Sequence, residues 1–397
     1  MRLLVAHDHR FHHGPKGELY TRGSFPAAVW DRYLDHFDEV TVVARDGGPL
    51  PPGASLSRSD RDHVSFEFLP SLASLGQLLF RSPDLEKRMR SAVEGVDAVV
   101  ARLPSEIGLL AVRHARALGK PYAVEVVGCA WDGYWNNGAL AARLYAPVVF
   151  MRTRSAIASA PFALYVTSSW LQQRYPSSGE QVSASNVALM PLTGDDLKRR
   201  EARLAALAGG QAPVIGTIAS LHTQSKGIQT ALGALADLHR GGLDLTYRVL
   251  GPGPIEPWRD LAARLGVSHL VQFDGTREAG EEVSRWLDQI DIHLQPSFQE
   301  GLPRATIEAM SRGVACIGST CGGLPELLPP ERLHKPGDVA TLGRHLRALA
   351  TNPAAIAEAS RRDREVAGHH SPGALQARRS DFYAKLHERA LAARRAG

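Results

Sequence analysis

A chain of 397 residues exceeds one ordinary hydrophobic core, so two domains of about 150 to 200 residues each are expected. With 44% hydrophobic and 22% charged residues it has the composition of a soluble globular protein, and its net charge of +5 comes from bases interspersed with acids. That pattern argues against a nucleic-acid binder, which would carry a basic stripe interleaved with aromatics, and is compatible with anionic substrates or an anionic membrane surface. The odd cysteine count, Cys129, Cys316 and Cys321, argues against a disulfide framework and for a reducing compartment.

The opening run 1–8 is too short for a signal peptide and reads as a first strand. Short apolar runs then alternate with helical stretches, the pattern of a parallel sheet covered by helices. Strands are predicted over 3–6, 40–44, 64–69, 98–101, 122–127, 164–166 and 187–190, with helices over 25–37 and 107–118, giving one doubly wound domain over 1–192. His7, Asp8, His9, His12 and His13 follow the first strand, where ligand loops of open α/β sheets gather. No His-Glu-x-x-His spacing accompanies them, so a polar loop at the ligand end of the sheet is preferred to a metal site. That loop continues to Gly23 and Ser24, which would offer backbone donors ahead of a helix, although an ordinary flexible loop reads equally well.

Amphipathic helices at 71–80 and 85–93 bring Lys87, Arg88 and Arg90 together. They fit either a solvated charged face or a peripheral contact with a membrane. The apolar stretch 140–150 is interrupted by Arg143 and followed by Arg152 and Arg154, so it cannot span a bilayer. A cytoplasmic protein is expected, at most peripheral at the cytoplasmic face of the inner membrane. After the fifth strand come Glu125, Gly128 and Asp132, and then Trp131, Tyr134 and Trp135, which could stack on a sugar or pack in a core.

Residues 190–194, the charged run 195–203 and Gly209-Gly210 read as the crossing into a second domain, 193–373. There a strand over 214–218 precedes a helix carrying Ile228, Ala231, Leu232, Leu235 and Leu238 at helical spacing, with Lys226-Gly227 in the loop between. The strand 247–250 runs into Gly251-Pro252-Gly253-Pro254, whose missing third glycine discounts a nicotinamide site. A further strand and turn, 271–276, end at Thr276. Next, Ile290, Ile292 and Leu294 form a buried strand, and a helix begins near Leu302 or Pro303. Glu300 sits at its mouth and Glu308 on its second turn. The backbone around Gly301, Leu302 and Pro303 lies at the positive helix end, a seat for an anion between two carboxylates that can bind hydroxyls. Helices are predicted at 339–350, 354–366 and 374–391, the last basic toward its end.

The Glu-x7-Glu segment 300–308, followed by Arg312-Gly313-Val314-Ala315-Cys316-Ile317 and Gly322-Gly323-Leu324-Pro325-Glu326-Leu327, resembles the donor site of the retaining family 4 glycosyltransferases (glycosyl transferases group 1). The resemblance is specific over about residues 213–330 and architectural before that. It implies an α/β protein of GT-B fold, with two Rossmann-like domains whose parallel sheets face a central cleft and a C-terminal helix, about 374–397, that packs back on the first. It further implies that Glu300 meets the hydroxyls of the sugar, Glu308 those of the ribose, and Lys226 the diphosphate of a nucleoside diphosphate sugar. Glu300 and Lys226 are then the catalytic residues, with Gly301, Leu302, Pro303, Arg304, Gly251, Gly253 and Thr276 around the donor and Gly23, Ser24, Gly128 and Asp132 on the acceptor side. Retention needs no protein nucleophile, because the leaving phosphate can take the acceptor's proton. No metal and no cofactor beyond the donor are expected. Two departures stand out: no His occurs near Val127, and Ser220 occupies the place of a second cation, for which Arg304 and Arg22 are the candidate substitutes. The acceptor implied is a sugar polymer, glycolipid or lipid-linked oligosaccharide in a bacterium, with a small molecule as the other option. A nucleotide-sugar epimerase of the same fold and a non-catalytic sugar or nucleotide binder are the rival readings.

Overall fold

The structure, a computed structural model, describes residues 1–23, 25–51, 56–69, 83–136 and 139–396. The chain divides into two units, Met1–Ala184 with Gln376–Gly397, and Ser185–Leu375.

The first unit is built on strands β1 (Arg2–His13), β3 (Glu39–Pro49), β5 (Val64–Leu69), β6 (Ala98–Leu103), β7 (Tyr122–Val126), β8 (Phe162–Tyr165) and β9 (Glu180–Ser183), with β2 (Leu19–Thr21) and β4 (Ser57–Arg58) added as short antiparallel partners. The parallel order is β5-β3-β1-β6-β7-β8-β9. Leu3 to Ala6 and Val99 to Ala101 are wholly buried, as expected where helices cover both faces of a parallel sheet.

Three expectations are corrected here. Residues 7–13 are not a loop: β1 continues through them, pairing Arg10 and Phe11 with Arg45 and Asp46 and turning back along β2. The cause is aromatic packing, since Phe11, Phe25, Trp30 and Phe66 form one cluster and the Phe25 and Trp30 rings stack at 5.4 Å. Burial, with Arg102 nearby, pushes His9 down to about 4 and holds His7 well below its ordinary value, so both are neutral members of this core. The helix predicted over 25–37 is two short turns, Ala27–Val29 and Asp31–Leu34. Residues 187–190 form no strand; the sheet edge is β9, whose Glu180 and Gln181 hid it from an apolar-run search.

Glu125 lies at the centre of this unit. Its carboxylate accepts from Arg102 at 2.5 Å, Tyr33 at 2.7 Å and Tyr383 at 2.6 Å, tying β7 and β6 to the helices Asp31–Leu34 and Pro372–Ala396. In the helix Pro83–Glu94, Arg88 reaches the Phe68 carbonyl and Glu67 while Arg90 pairs with Glu94, so these cations are internally engaged. The partner helix predicted at 71–80 lies outside the described residues.

The second unit is a parallel sheet of β10 (Ile215–Ile218), β11 (Tyr247–Leu250), β12 (Val271–Phe273), β13 (Ile292–Gln295), β14 (Ala315–Ser319) and β15 (Leu333–His334), ordered β12-β11-β10-β13-β14-β15. The charged run 195–203 is not a linker. It belongs to the helix Gly194–Ala208, opened by a capping box in which Thr193 and Asp196 satisfy each other's backbone. Arg200 then donates to the carbonyls of Leu287, Ile290 and Arg312, and Arg203 grips Asp291, which docks the helix on this unit.

Candidate active site

In the second sheet the strand order reverses between β10 and β13, and ligands of open α/β sheets bind outside the carboxyl ends of the strands at such a switch point. The loops leaving those two strands carry Lys226 and Glu300. They are stitched together by backbone: Phe298 N–H donates to the Ser225 carbonyl at 2.7 Å. Gly227 lies in the left-handed region, φ 75°, and a Cβ there would sit 1.9 Å from the Pro296 carbonyl oxygen, so only glycine allows the approach. Behind them, Gly323 N–H donates to the Gly301 carbonyl at 2.7 Å and Ser319 Oγ to the Ser297 carbonyl at 2.6 Å. The Gly-Gly segment after β14 therefore props the Glu300 loop.

Lys226 Nζ contacts Glu300 Oε1 at 2.7 Å. The same oxygen accepts from Ser297 Oγ at 2.8 Å and Gln295 Nε2 at 2.9 Å. The Gln295 carbonyl oxygen in turn accepts from His293 Nε2 at 3.2 Å and Thr306 Oγ1 at 3.4 Å, which orients its amide toward Glu300. Burial pushes His293 down to about 4, so it is neutral and donates through one nitrogen. Charge-assisted bonds of this kind fix a carboxylate more firmly than neutral ones. Glu300 is held from below by one oxygen, and its Oε2 receives no hydrogen bond from the described residues.

The helix Arg304–Ser311 follows, with Pro303 at its N-cap and no side chain closing its first turn. Its leading N–H groups and its dipole are thus available to an anion, and Arg304 stands exposed beside them. Leu302 and Pro303 are buried and shape the entry. Glu308 is half-buried on the second turn, and no hydrogen bond or ion pair from the described residues reaches its carboxylate. Burial raises its carboxyl above the usual range, with Arg304 opposing. A half-buried carboxylate with no partner among the described residues, beside an open helix end, has its acceptor capacity unused by the fold.

The remaining predicted residues divide. Gly251 and Gly253 have a packing role: a Cβ on Gly251 would lie 2.0 Å from the Ala219 carbonyl oxygen, and one on Gly253 2.8 Å from His222 N. Thr276 is exposed in the next loop, after Gly275, whose carbonyl accepts from Gly251 N–H at 2.7 Å. In the first unit, Gly23 is exposed with φ 77°, Gly128 is half-buried, and Asp132 pairs with Arg174 at 3.1 Å; Ser24 lies outside the described residues. Trp131 stacks on Trp135 at 5.3 Å, and Tyr134 packs edge-on against Tyr145. Sequence reasoning missed the His293, Gln295, Ser297 and Thr306 support. The signal was there: polar residues alternating within an apolar central strand must find partners once buried.

The sequence model of the family described as glycosyl transferases group 1 matches residues 212–352, the span that holds every element of this constellation. Over that segment the chain is similar to the group 1 glycosyl transferases. Similar to this chain are Protein CapJ of Staphylococcus aureus, 29% identical over 343 residues covering 86% of this chain and 84% of the relative, and WcaL of Escherichia coli strain K12, named for colanic acid biosynthesis, 31% identical over 138 residues covering 32% and 34%. Among solved structures, sucrose-phosphate synthase from Thermosynechococcus elongatus superposes with a TM-score of 0.67 at 17% identity, covering 98% and 99% of the two chains. HepE of Anabaena in complex with UDP-glucose does so with 0.62 at 15% identity, covering 99% and 100%. The fold is GT-B. Among the described residues no helix is long and apolar enough to cross a membrane.

Proposed function

We propose that this protein is a glycosyltransferase that moves a sugar from a nucleoside diphosphate sugar to a hydroxyl acceptor with retention at the anomeric carbon, in the synthesis of a bacterial surface polysaccharide, glycolipid or lipid-linked oligosaccharide. The reading rests on one arrangement: the Lys226 ammonium against Glu300 at the mouth of an uncapped helix, with an unpartnered Glu308 on that helix. A diphosphate placed at the helix end draws Lys226 from Glu300, and the carboxylate so released accepts from the hydroxyls of the sugar. Lys226 and the helix dipole then stabilise charge on the departing phosphate, the electrostatic term that is often largest in such reactions. The acceptor hydroxyl attacks the anomeric carbon as the bond to the phosphate breaks, and its proton passes to a phosphate oxygen, so no protein nucleophile and no metal enter the scheme. HepE has been solved with UDP-glucose, and WcaL is named as a putative glycosyltransferase of colanic acid biosynthesis; both are in keeping with a nucleotide-sugar donor and a glycan acceptor. The epimerase and binding-only readings are not favoured in a family of transferases.

The test is turnover of a nucleotide sugar, with the anomeric configuration of the product read by NMR. Glu300→Gln should cut kcat by orders of magnitude while leaving nucleotide affinity within a few-fold, the signature of an interaction made chiefly in the transition state. Full turnover in that variant, or a product of inverted configuration, would contradict the scheme.

A further inference from the structure

At the amino ends of the strands in the second unit, side chains from three separate stretches of chain converge. His239 stands in the last turn of the helix Ile228–Arg240, Asp244 in the link from that helix to β11, and His269 in the turn Ser268–Leu270 that leads into β12. β11 and β12 are adjacent and parallel, with Tyr247 opposite Val271, so the lead-ins to the two strands lie side by side. His239 Nδ1 meets Asp244 Oδ1 at 2.6 Å, and the His239 and His269 rings stand edge-on with centroids 5.1 Å apart. One ligand atom from each of the three residues lies within 4.8 Å of the other two. Among the described residues no other group of three histidines, cysteines or acids converges in this way, and His7, His9, His12 and His13 of β1 do not.

The backbone fixes the three positions. Leu238 and Leu245, on either side of the link, and Val267, ahead of the turn, are buried. Leu243 N–H donates to the Leu238 carbonyl at 2.9 Å, and Gly242, at φ 76°, takes the chain out of the helix through the left-handed region. Leu270 N–H closes the second turn on the Val267 carbonyl at 3.0 Å. The neighbouring cation Arg240 is paired with Asp237. His239 is half-buried while Asp244 and His269 are exposed, so an ion reaches them from solvent. Two imidazoles and a carboxylate are a donor set for Zn2+ and similar transition-metal ions, whereas Mg2+ and Ca2+ take oxygen ligands. Zinc bonds of about 2.0–2.2 Å put neighbouring ligand atoms about 3.3 Å apart in a tetrahedron, which small side-chain rotations reach from the separations found here. A surface ion pair explains His239 and Asp244 but not the convergence of His269 on them.

We propose that His239, Asp244 and His269 bind one Zn2+ ion, with water completing its shell, and that the ion ties the end of the helix Ile228–Arg240 to the lead-ins of β11 and β12. The site stands at the strand ends opposite those that carry Lys226 and Glu300, so it goes beyond the proposed transfer reaction and does not rest on it. Isothermal titration of the full chain, purified without a histidine tag and stripped with a chelator, should show about one equivalent of Zn2+ bound. Zn2+ should also raise Tm, because the unfolded chain does not hold the three ligands together. His269→Ala and Asp244→Asn should each weaken binding at least about tenfold and remove the rise in Tm. Both side chains are exposed, so the metal-free variants should unfold where the unaltered chain does. Mg2+ should compete poorly for the site. Absence of zinc binding, an affinity that survives in both variants because the ion sits on other histidines, or equal affinity for Mg2+ would overturn the proposal.

Discussion

Glu308 illustrates a conflict between stability and binding within a single side chain. Burial raises its carboxyl, so the folded chain holds the proton more tightly than the unfolded one. Stability from this group is therefore fully present below the ordinary glutamate value of 4.5 and is lost as pH rises through the raised folded value. Glu308→Gln should accordingly raise Tm at neutral pH, and the gain should vanish in scans below the ordinary glutamate value. The same variant should lose most of the stabilisation that a nucleoside diphosphate confers, because a neutral amide cannot offer two acceptors to the ribose hydroxyls. A variant less stable at neutral pH would mean that the carboxylate has a partner inside the fold. The placement of Glu308 on the helix that Glu300 precedes was legible in the sequence, because the two share a motif with a helix start between them. The Lys226 to Glu300 contact was not, since 74 positions separate the partners and only the adjacency of β10 and β13 joins them.

Elements whose residues alternate or repeat cleanly were legible, including β5, β11 and the helices Ile228–Arg240 and Val339–Ala350. Those shaped by distant partners were not. Nothing local announces that β1 extends to His13, because its continuation depends on aromatic rings contributed by Phe25, Trp30 and Phe66. Glu125 is a similar case, for nothing local distinguished it from its neighbours Gly128 and Asp132, and the structure makes it a buried strut within β7. Burial alone would raise its carboxyl, but Arg102 and Arg32 outweigh burial and hold it lowered. Removing one partner of a buried ion pair costs about 3–5 kcal/mol, so Glu125→Ala should lower the unfolding free energy by that order in urea titration. Tyr383→Phe removes one neutral donor to the same carboxylate and should cost about 1 kcal/mol. Equal, small effects from both would show that Glu125 is not the strut.

At the scale of the molecule, two Rossmann-like units were expected from length and from the alternation of strands and helices, and the second unit carried the more specific pattern. The reason is physical. A donor site built at a switch point needs glycines at close approaches, an open helix end and carboxylates at fixed offsets, and all of these are sequence-local. An acceptor surface needs only a shape, which Gly23, Gly128 and Asp132 did not spell out. In the function proposed for this chain, Lys226, Glu300, Glu308 and the Arg304–Ser311 helix end form a seat for a nucleoside diphosphate. Thermal unfolding of the unaltered chain with UDP, GDP, ADP and NAD(P) tests it most directly. A ligand at about one hundred times its dissociation constant adds roughly 2.7 kcal/mol of stability. One nucleoside diphosphate should raise Tm accordingly, and Lys226→Ala should abolish the shift. A rise produced by NAD(P) alone, or a nucleoside diphosphate shift that survives intact in Lys226→Ala, would contradict the account.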